Sequence, residues 1–346
     1  MMRAAVLHQG RIVVREDVAE PTPAAGQVLV EVKACGICGS DLHFARHGAS
    51  MLSLGTQMAG NVDLGAPALD LAQDVYLGHE FSAEVLEFGP DTHSDVAPGA
   101  LVTALPVLVG SDGIRPIVYS NDVKGGYGQR MLLTAPLLLE VPNGLSPELA
   151  ALTEPMAVGL HAVNKAKLDS GEGALVLGCG PVGLAVIAAL RTKGVGPIVA
   201  ADFSPSRRQL AVTMGAHEAV DPHAETAWAA WTRAGRGAPV VFEAIGVPGV
   251  INDIMKSAPS GSRVVVVGVC MEDDVINPFF GISKEMHIQF VLGYDPMEFA
   301  ASLRSISEGA IDVAPLVTAT VGLDEVAWAF DALANPDDHC KIIITP

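Results

Sequence analysis

Aromatic residues make up only 5% of this 346-residue chain, and the 21 Lys and Arg are outnumbered by 39 Asp and Glu, for a formal charge of −18. So few aromatics leave little for a base-stacking platform. The basic residues gather in no run, which argues against nucleic acid and against an anionic membrane surface, since both need clustered Lys and Arg. Cysteine is sparse as well. Cys35, Cys38, Cys179, Cys270 and Cys340 form an odd and scattered set, which excludes a disulfide framework. The N-terminal MMRAAVLHQGRIVVRED lacks an apolar core of signal-peptide length, and with the thiols it predicts a reducing, cytoplasmic compartment. A membrane span is also missing. The one uncharged run of 18 residues, 173–190, holds four glycines and Pro181, which suits a strand running through a turn into a helix.

What the chain does have is apolar residues, 50% of the total, and 36 glycines. At this length the material suffices for two cores, and so for two domains. Residues 1–153 carry short β-type runs such as RIVVRE and QVLVEVKA, broken by Gly, Pro, Asn and Asp. From residue 154 the texture changes to apolar runs alternating with helical ones: ALVLG, PVGLAVIAALRTKG, PIVAA, PSRRQLAVTMG, VVFEAI, GVINDIMKSA and RVVVVGV, then MHIQFVLG and PMEFAASLRSISEG. Such alternation predicts βαβ units on a doubly wound parallel sheet over 154–309. The β-like PLVTATVGL and KIIITP then return 310–346 to the first domain. Residues 44–75 carry few signals and read as a long connection, of the kind that is functional or mobile in compact domains.

The first strand of the alternating region runs into Gly178-Cys179-Gly180-Pro181-Val182-Gly183, a G-x-G-x-x-G that opens a helix. The first glycine makes the tight turn, the second lets a pyrophosphate approach the backbone, and the third lets helix and strand pack closely. The helix N-terminus adds free N–H groups for the phosphates. After the second strand comes Asp202, 24 residues past Gly178, placed as the carboxylate that holds an adenosine ribose. A carboxylate there favours NAD and repels the 2′-phosphate of NADP. Arg207 and Arg208 follow, either to grip a phosphate or as an exposed helix face.

A second cluster comprises Cys35-Gly36-Ile37-Cys38-Gly39-Ser40-Asp41-Leu42-His43, then Gly78-His79-Glu80 and Glu154-Pro155. A lone C-x-x-C fits a redox pair, half of a four-cysteine zinc site, or two small buried residues. No second pair exists to complete a four-cysteine site, and a β-rich setting does not suit a redox motif.

Taken together, RAAVLH, GQVLVEVKACGICGSDLH, LGHEFSAEV, GGYGQRM, ALTEPMAVGLHAV and LGCGPVGLAVI followed by AADFS resemble the zinc-dependent medium-chain alcohol and polyol dehydrogenases over nearly the whole chain. The resemblance implies a β-rich GroES-like catalytic domain with a Rossmann domain, and hydride transfer between a secondary alcohol or polyol and NAD. It assigns one catalytic zinc to Cys38, His79 and Glu154, with Glu80 as the adjacent glutamate that enters or leaves the metal shell. Three such ligands leave a fourth position open, as catalytic zinc requires. Ser40 then resembles the hydroxyl that accepts the substrate proton, and His43 the imidazole that relays it. Asp41 reads either as a support for the histidine ligand or as a turn residue, and Cys35 as a small buried residue. Val269, Leu292 and Tyr294 would hold the nicotinamide carboxamide through backbone groups, and Lys341 would touch the pyrophosphate. A homodimer or homotetramer is implied too.

The chain also departs from that family. Residues 84–153 contain no cysteine, so no structural four-cysteine zinc is expected. Cys38 and His79 lie 41 positions apart, which marks 44–75 as an insertion. Together with Tyr119, Asn121 and Tyr294 it is expected to shape the substrate pocket. Two rivals remain, a zinc-free reductase of quinones or enones and a non-catalytic NADH-binding scaffold. The first predicts degraded metal positions, and the second has no need of Ser40 and His43 beside an open metal site.

Overall fold

The structure, a computed structural model, describes residues 1–59, 69–111, 113–234, 237–335 and 337–346, with side chains for all of these except 55–59. The chain forms two compact units, Met1–Glu154 with Val317–Asn335 and Lys341–Pro346, and Pro155–Leu316 with Pro336–Cys340.

In the first unit the organising element is the strand Gln27–Gly36, whose Val28, Val30 and Val32 point into the core. Glu80–Phe88 pairs antiparallel along one edge. Along the other edge Arg130–Thr134 covers the first half and Lys341–Ile344 the second, so the strand is central over its whole length. Leu101–Ala104, Leu138–Glu140 and Val317–Val321 complete a seven-stranded sheet, and Met2–His8 joins Arg11–Val18 and Val75–Tyr76 in a smaller one. Register decides what the central strand delivers: Gly36 lies opposite Glu80, which brings the C-x-x-C block against the G-H-E block.

The structure corrects the reading of 44–75 as a connection without order. A helix, Gly39–Ala59, covers its first half, with a break in helical geometry at His47 just before Gly48. Residues 60–68 of the expected insertion lie outside the described residues. On the return, Asn121 accepts from the Asp70 N–H at 2.8 Å and donates to the carbonyls of Asp70 and Asp74. Asn121 therefore pins the chain, and its amide is not spent on a pocket.

The second unit carries a parallel six-stranded sheet in the spatial order Glu218–Val220, Ile198–Ala201, Ala174–Leu177, Val240–Glu243, Arg263–Val266, His287–Phe290. The first strand lies in the middle and the order reverses beside it, the doubly wound arrangement in which ligands bind at the carboxyl edge. The strands are continuous apolar runs, with Leu175, Val199, Val241 and Val264 buried, because helices screen both faces. The strand Glu218–Val220 and the helix Ala227–Ala234 are additions to the expected series; three residues are too few to show a period. Residues 310–316, expected in the first domain, stay with the second unit because Val313 and Leu316 are buried there. Pro336–Cys340 does so as well, with the Asp337 carbonyl accepting from the Ser206 hydroxyl at 2.9 Å. Among the described residues no helix is long and apolar enough to cross a membrane.

Candidate active site

Two of the blocks singled out in the sequence meet in the first unit. Cys38 precedes the helix Gly39–Ala59, and His79 and Glu80 stand at the start of the strand Glu80–Phe88. Donor atoms of Cys38, His79 and Glu80 all lie within 4.8 Å of one another. Two glycines make this possible. A Cβ on Gly36 would fall 2.1 Å from Glu80 Oε2, so the position opposite Glu80 must be bare. Gly78, at φ +100°, turns the chain into His79, and its carbonyl accepts from the Gly126 N–H at 2.8 Å, so the G-H-E and G-G-Y-G motifs interlock.

Asp41 is fully buried behind this group. Its Oδ2 accepts from the Tyr127 hydroxyl at 2.6 Å and from the Cys38 N–H at 3.1 Å, while Oδ1 lies 3.6 Å from His79 Nδ1. Neither of these last two atoms has a hydrogen-bond partner. An imidazole held against a carboxylate through Nδ1 presents its other nitrogen as a ligand, the arrangement that supports metal-bound histidine. Burial opposes charge on His79, but Asp41 and Cys38 outweigh it and hold its pKa well above the ordinary range. Burial and Glu80 push the Cys38 thiol up, partly countered by His79. The donor set fits zinc: thiolate, imidazole and carboxylate are its usual ligands, and bonds of about 2.0–2.3 Å place tetrahedral donors roughly 3.3–3.8 Å apart. Glu154 stands outside the three-residue group, buried in the first turn of the helix Thr153–Ala166, near enough for its charge to act on His79. Cys35 is the small buried residue expected, its thiol pushed well up by burial.

Lys341 is a correction. Expected at the pyrophosphate, its ammonium is instead 2% exposed, donating to both carboxylate oxygens of Glu80 at 2.8 Å and to the Ile37 carbonyl at 3.0 Å. An ammonium has three N–H groups, and these three acceptors use them all. Neither this pairing nor the Asp41–Tyr127 bond is signalled by the residues next to them in the chain.

Ser40 and His43 lie three positions apart on the helix Gly39–Ala59, hence on one face. Burial, helped by His47 and Arg46, lowers the His43 pKa and keeps its imidazole neutral and receptive.

In the second unit Leu177, Ala201, Glu243, Val266 and Phe290 stand level across the sheet, so the segments after them share its carboxyl edge. Gly178–Gly183, Asp202, Val269, Leu292 and Tyr294 all follow one of these strand ends. The helix Pro181–Thr192 begins with Pro181 at its first turn and Gly180 as cap, which leaves the first amides open to an anion. Asp202 Oδ2 accepts from the Cys179 N–H at 2.7 Å, so the expected ribose carboxylate also braces the glycine turn. Each oxygen keeps a second acceptor site. Arg208 donates to the Asp202 and Phe203 carbonyls, whereas Arg207 Nε is buried and has no hydrogen-bond partner among the described residues.

Comparison with known proteins finds matches over both parts of the chain. Residues 24–143 match the alcohol dehydrogenase GroES-like domain, and residues 181–308 match the zinc-binding dehydrogenase domain. The chain is 34% identical to the (R,R)-butanediol dehydrogenase of Bacillus subtilis (strain 168) over the full length of both, and 28% identical to that organism's sorbitol dehydrogenase over 100% of this chain and 97% of the relative. Among solved structures, 2R,3R-butanediol dehydrogenase from Bacillus subtilis superimposes with a TM-score of 0.82 at 32% identity, covering all of both chains. A Sinorhizobium meliloti 1021 protein bound to NADP gives 0.82 at 28% identity, covering 100% of this chain and 99% of its own. The chain thus belongs to the zinc-dependent medium-chain alcohol and polyol dehydrogenases, oxidoreductases that act on CH–OH donors with zinc and a nicotinamide cofactor.

Proposed function

We propose that the protein oxidises a secondary hydroxyl of a small diol or polyol to the ketone, with NAD as hydride acceptor and one catalytic zinc. The observation that carries this reading is the Cys38–His79–Glu80 group, its thiol half-buried and its imidazole and carboxylate buried, backed by the Asp41 and His79 atoms that lack hydrogen-bond partners among the described residues. Its support as to substrate is the pair of relatives named for butanediol and sorbitol.

In this mechanism Cys38, His79 and Glu154 would hold the zinc, with Glu80 beside them under the hold of Lys341. Bound there, zinc would supply the Lewis acidity that makes a hydroxyl proton removable near neutral pH, and NAD would supply the hydride acceptor. Asp41 orients His79 through Nδ1. Ser40 accepts the substrate proton at its hydroxyl, and His43, held neutral, receives it next on the way to solvent. Gly180 and the first amides of the helix Pro181–Thr192 bind the pyrophosphate, Asp202 the adenosine ribose, and backbone groups at Val269, Leu292 and Tyr294 the carboxamide.

Zinc analysis together with NADH absorbance on a panel of secondary alcohols, polyols and hydroxy acids tests this. Turnover without metal would establish the zinc-free reductase instead, and zinc with NADH binding but no turnover would establish the scaffold. One observation favours NADP as a second reading: the unpartnered Arg207 Nε close behind Asp202. The ratio of kcat/KM for NAD and NADP decides between them.

The protein acts in the cytoplasm, where all five cysteines, none of them in a disulfide in this structure, stay reduced. It assembles as a homodimer or homotetramer. The support is the edge strand His287–Phe290, where Phe290 is 64% and Leu292 88% exposed, an apolar border that a second copy would cover. A monomer mass by light scattering would refute the assembly.

A further inference from the structure

Tyr119 follows the hairpin Val107–Gly110/Gly113–Pro116 and is fixed from two sides. Its neighbour Ser120 exchanges backbone hydrogen bonds with Tyr76, at 2.7 and 3.3 Å. Its ring stacks on Phe44, with centroids 4.0 Å apart and planes 9° from parallel. Phe44 is itself buried, one helical turn beyond Ser40 on the helix Gly39–Ala59. A ring laid on Phe44 therefore reaches back along that face, and the Tyr119 hydroxyl lies alongside the Ser40 hydroxyl, where the charges of Asp41, Cys38 and Glu154 act on it.

The hydroxyl oxygen is buried, and among the described residues its one near polar neighbour is the Ser40 hydroxyl, which interacts with it electrostatically but stands outside good hydrogen-bond geometry. Buried tyrosine hydroxyls ordinarily find a partner. Burial also pushes its pKa far up, so the group is a proton-bearing donor at every working pH. It is thus a rigidly held donor with no well-formed hydrogen bond, beside the residue that takes the substrate proton.

We propose that the Tyr119 hydroxyl is the donor for a second oxygen of the substrate, on the carbon next to the one oxidised, and that it selects vicinal diols and polyols over monohydric alcohols. The inference rests on the dehydrogenase reading above. The first hydroxyl reacts at the metal group and Ser40, and the second satisfies Tyr119. An alcohol that lacks the second oxygen leaves Tyr119 buried with only its poorly aligned Ser40 neighbour, and sites built around a hydroxyl reject analogues that leave a donor so poorly satisfied. The α-hydroxyketone product keeps that oxygen, so the selection holds in both directions.

The test compares 2,3-butanediol with 2-butanol, which share a carbon skeleton and differ by one hydroxyl, in the zinc-loaded protein and in Tyr119→Phe, which keeps the ring on Phe44. The wild type should favour the diol in kcat/KM by about tenfold or more, and the variant should lose most of that ratio. Equal wild-type kcat/KM for the two alcohols overturns the proposal. So does an unchanged ratio in the variant, including the case where both rates fall together, which would make Tyr119 a positioning residue for Ser40. A wild type that turns over neither alcohol refutes the dehydrogenase reading and this inference with it. Turnover of both with the ratio unmoved by Tyr119→Phe refutes the inference alone.

Discussion

Alanine at Gly180 and at Gly183 separates what the glycine turn does for folding from what it does for the cofactor. At Gly183 a Cβ would stand 2.0 Å from the Gly178 carbonyl oxygen and 3.4 Å from Ala244 Cβ. Backbone cannot swing aside as a flexible side chain does, so helix and strand must separate, an overpacking cost of about 1–3 kcal/mol. For a unit of this size that lowers the unfolding temperature by roughly 2–4 °C per kcal/mol. Gly180 has nothing within 4 Å of its would-be Cβ and sits at φ −67°, ψ 177°, a conformation open to alanine. There alanine leaves the melting temperature equal or slightly higher, since it reduces the freedom of the unfolded chain. Its methyl group fills the space through which a pyrophosphate approaches, so the Kd for NADH rises at least tenfold, about 1.4 kcal/mol. Calorimetry without nucleotide and NADH fluorescence titration measure the two effects. Wild-type NADH affinity in Gly180→Ala would refute the assigned approach of the pyrophosphate, and a wild-type melting temperature in Gly183→Ala would refute the packing argument.

Lys341→Met removes the cation from a fully buried Glu80 and is expected to cost about 3–5 kcal/mol in urea unfolding, because the carboxylate is left unpaired; unchanged stability would show that the pair does not persist in solution. Asp41→Asn takes the carboxylate from behind His79 and should weaken zinc roughly 10–100-fold in chelator competition, while equal retention would deny Asp41 its orienting task. His43 has a folded-state pKa below its unfolded value of about 6.5, so folding favours its neutral form and stability drains away as the pH falls below that value. Part of this acid loss should vanish in His43→Gln, and parallel stability curves for the two proteins between pH 7 and pH 5 would contradict it.

Local motifs were legible because neighbouring residues suffice to build them. The run ALVLG followed by Gly180, Pro181 and Gly183 specifies strand, turn and helix within a dozen residues, and the structure forms Ala174–Leu177 and Pro181–Thr192 accordingly. Likewise, Asp202 could be found by its place after the second strand. The helix Gly39–Ala59 beyond the C-x-x-C block was not legible, since Gly48 and Gly55 break up the apolar repeat that would have announced it.

The sequence by itself determined the parallel α/β half, the glycine turn and the residue types of the metal group, because each is written in adjacent residues or in composition. Only the tertiary structure decided what each polar group answers to. Lys341 reaches Glu80 across 261 positions and Tyr127 reaches Asp41 across 86, pairings made when Ile343 comes into register with Gly36 and Gly78 locks against Gly126. The same packing stacks Tyr119 on Phe44 and sets its hydroxyl beside that of Ser40 without a well-formed hydrogen bond. Strand register and burial are properties of the whole chain, and they, more than the residue types, settle which charges are paired and which donors remain for a ligand.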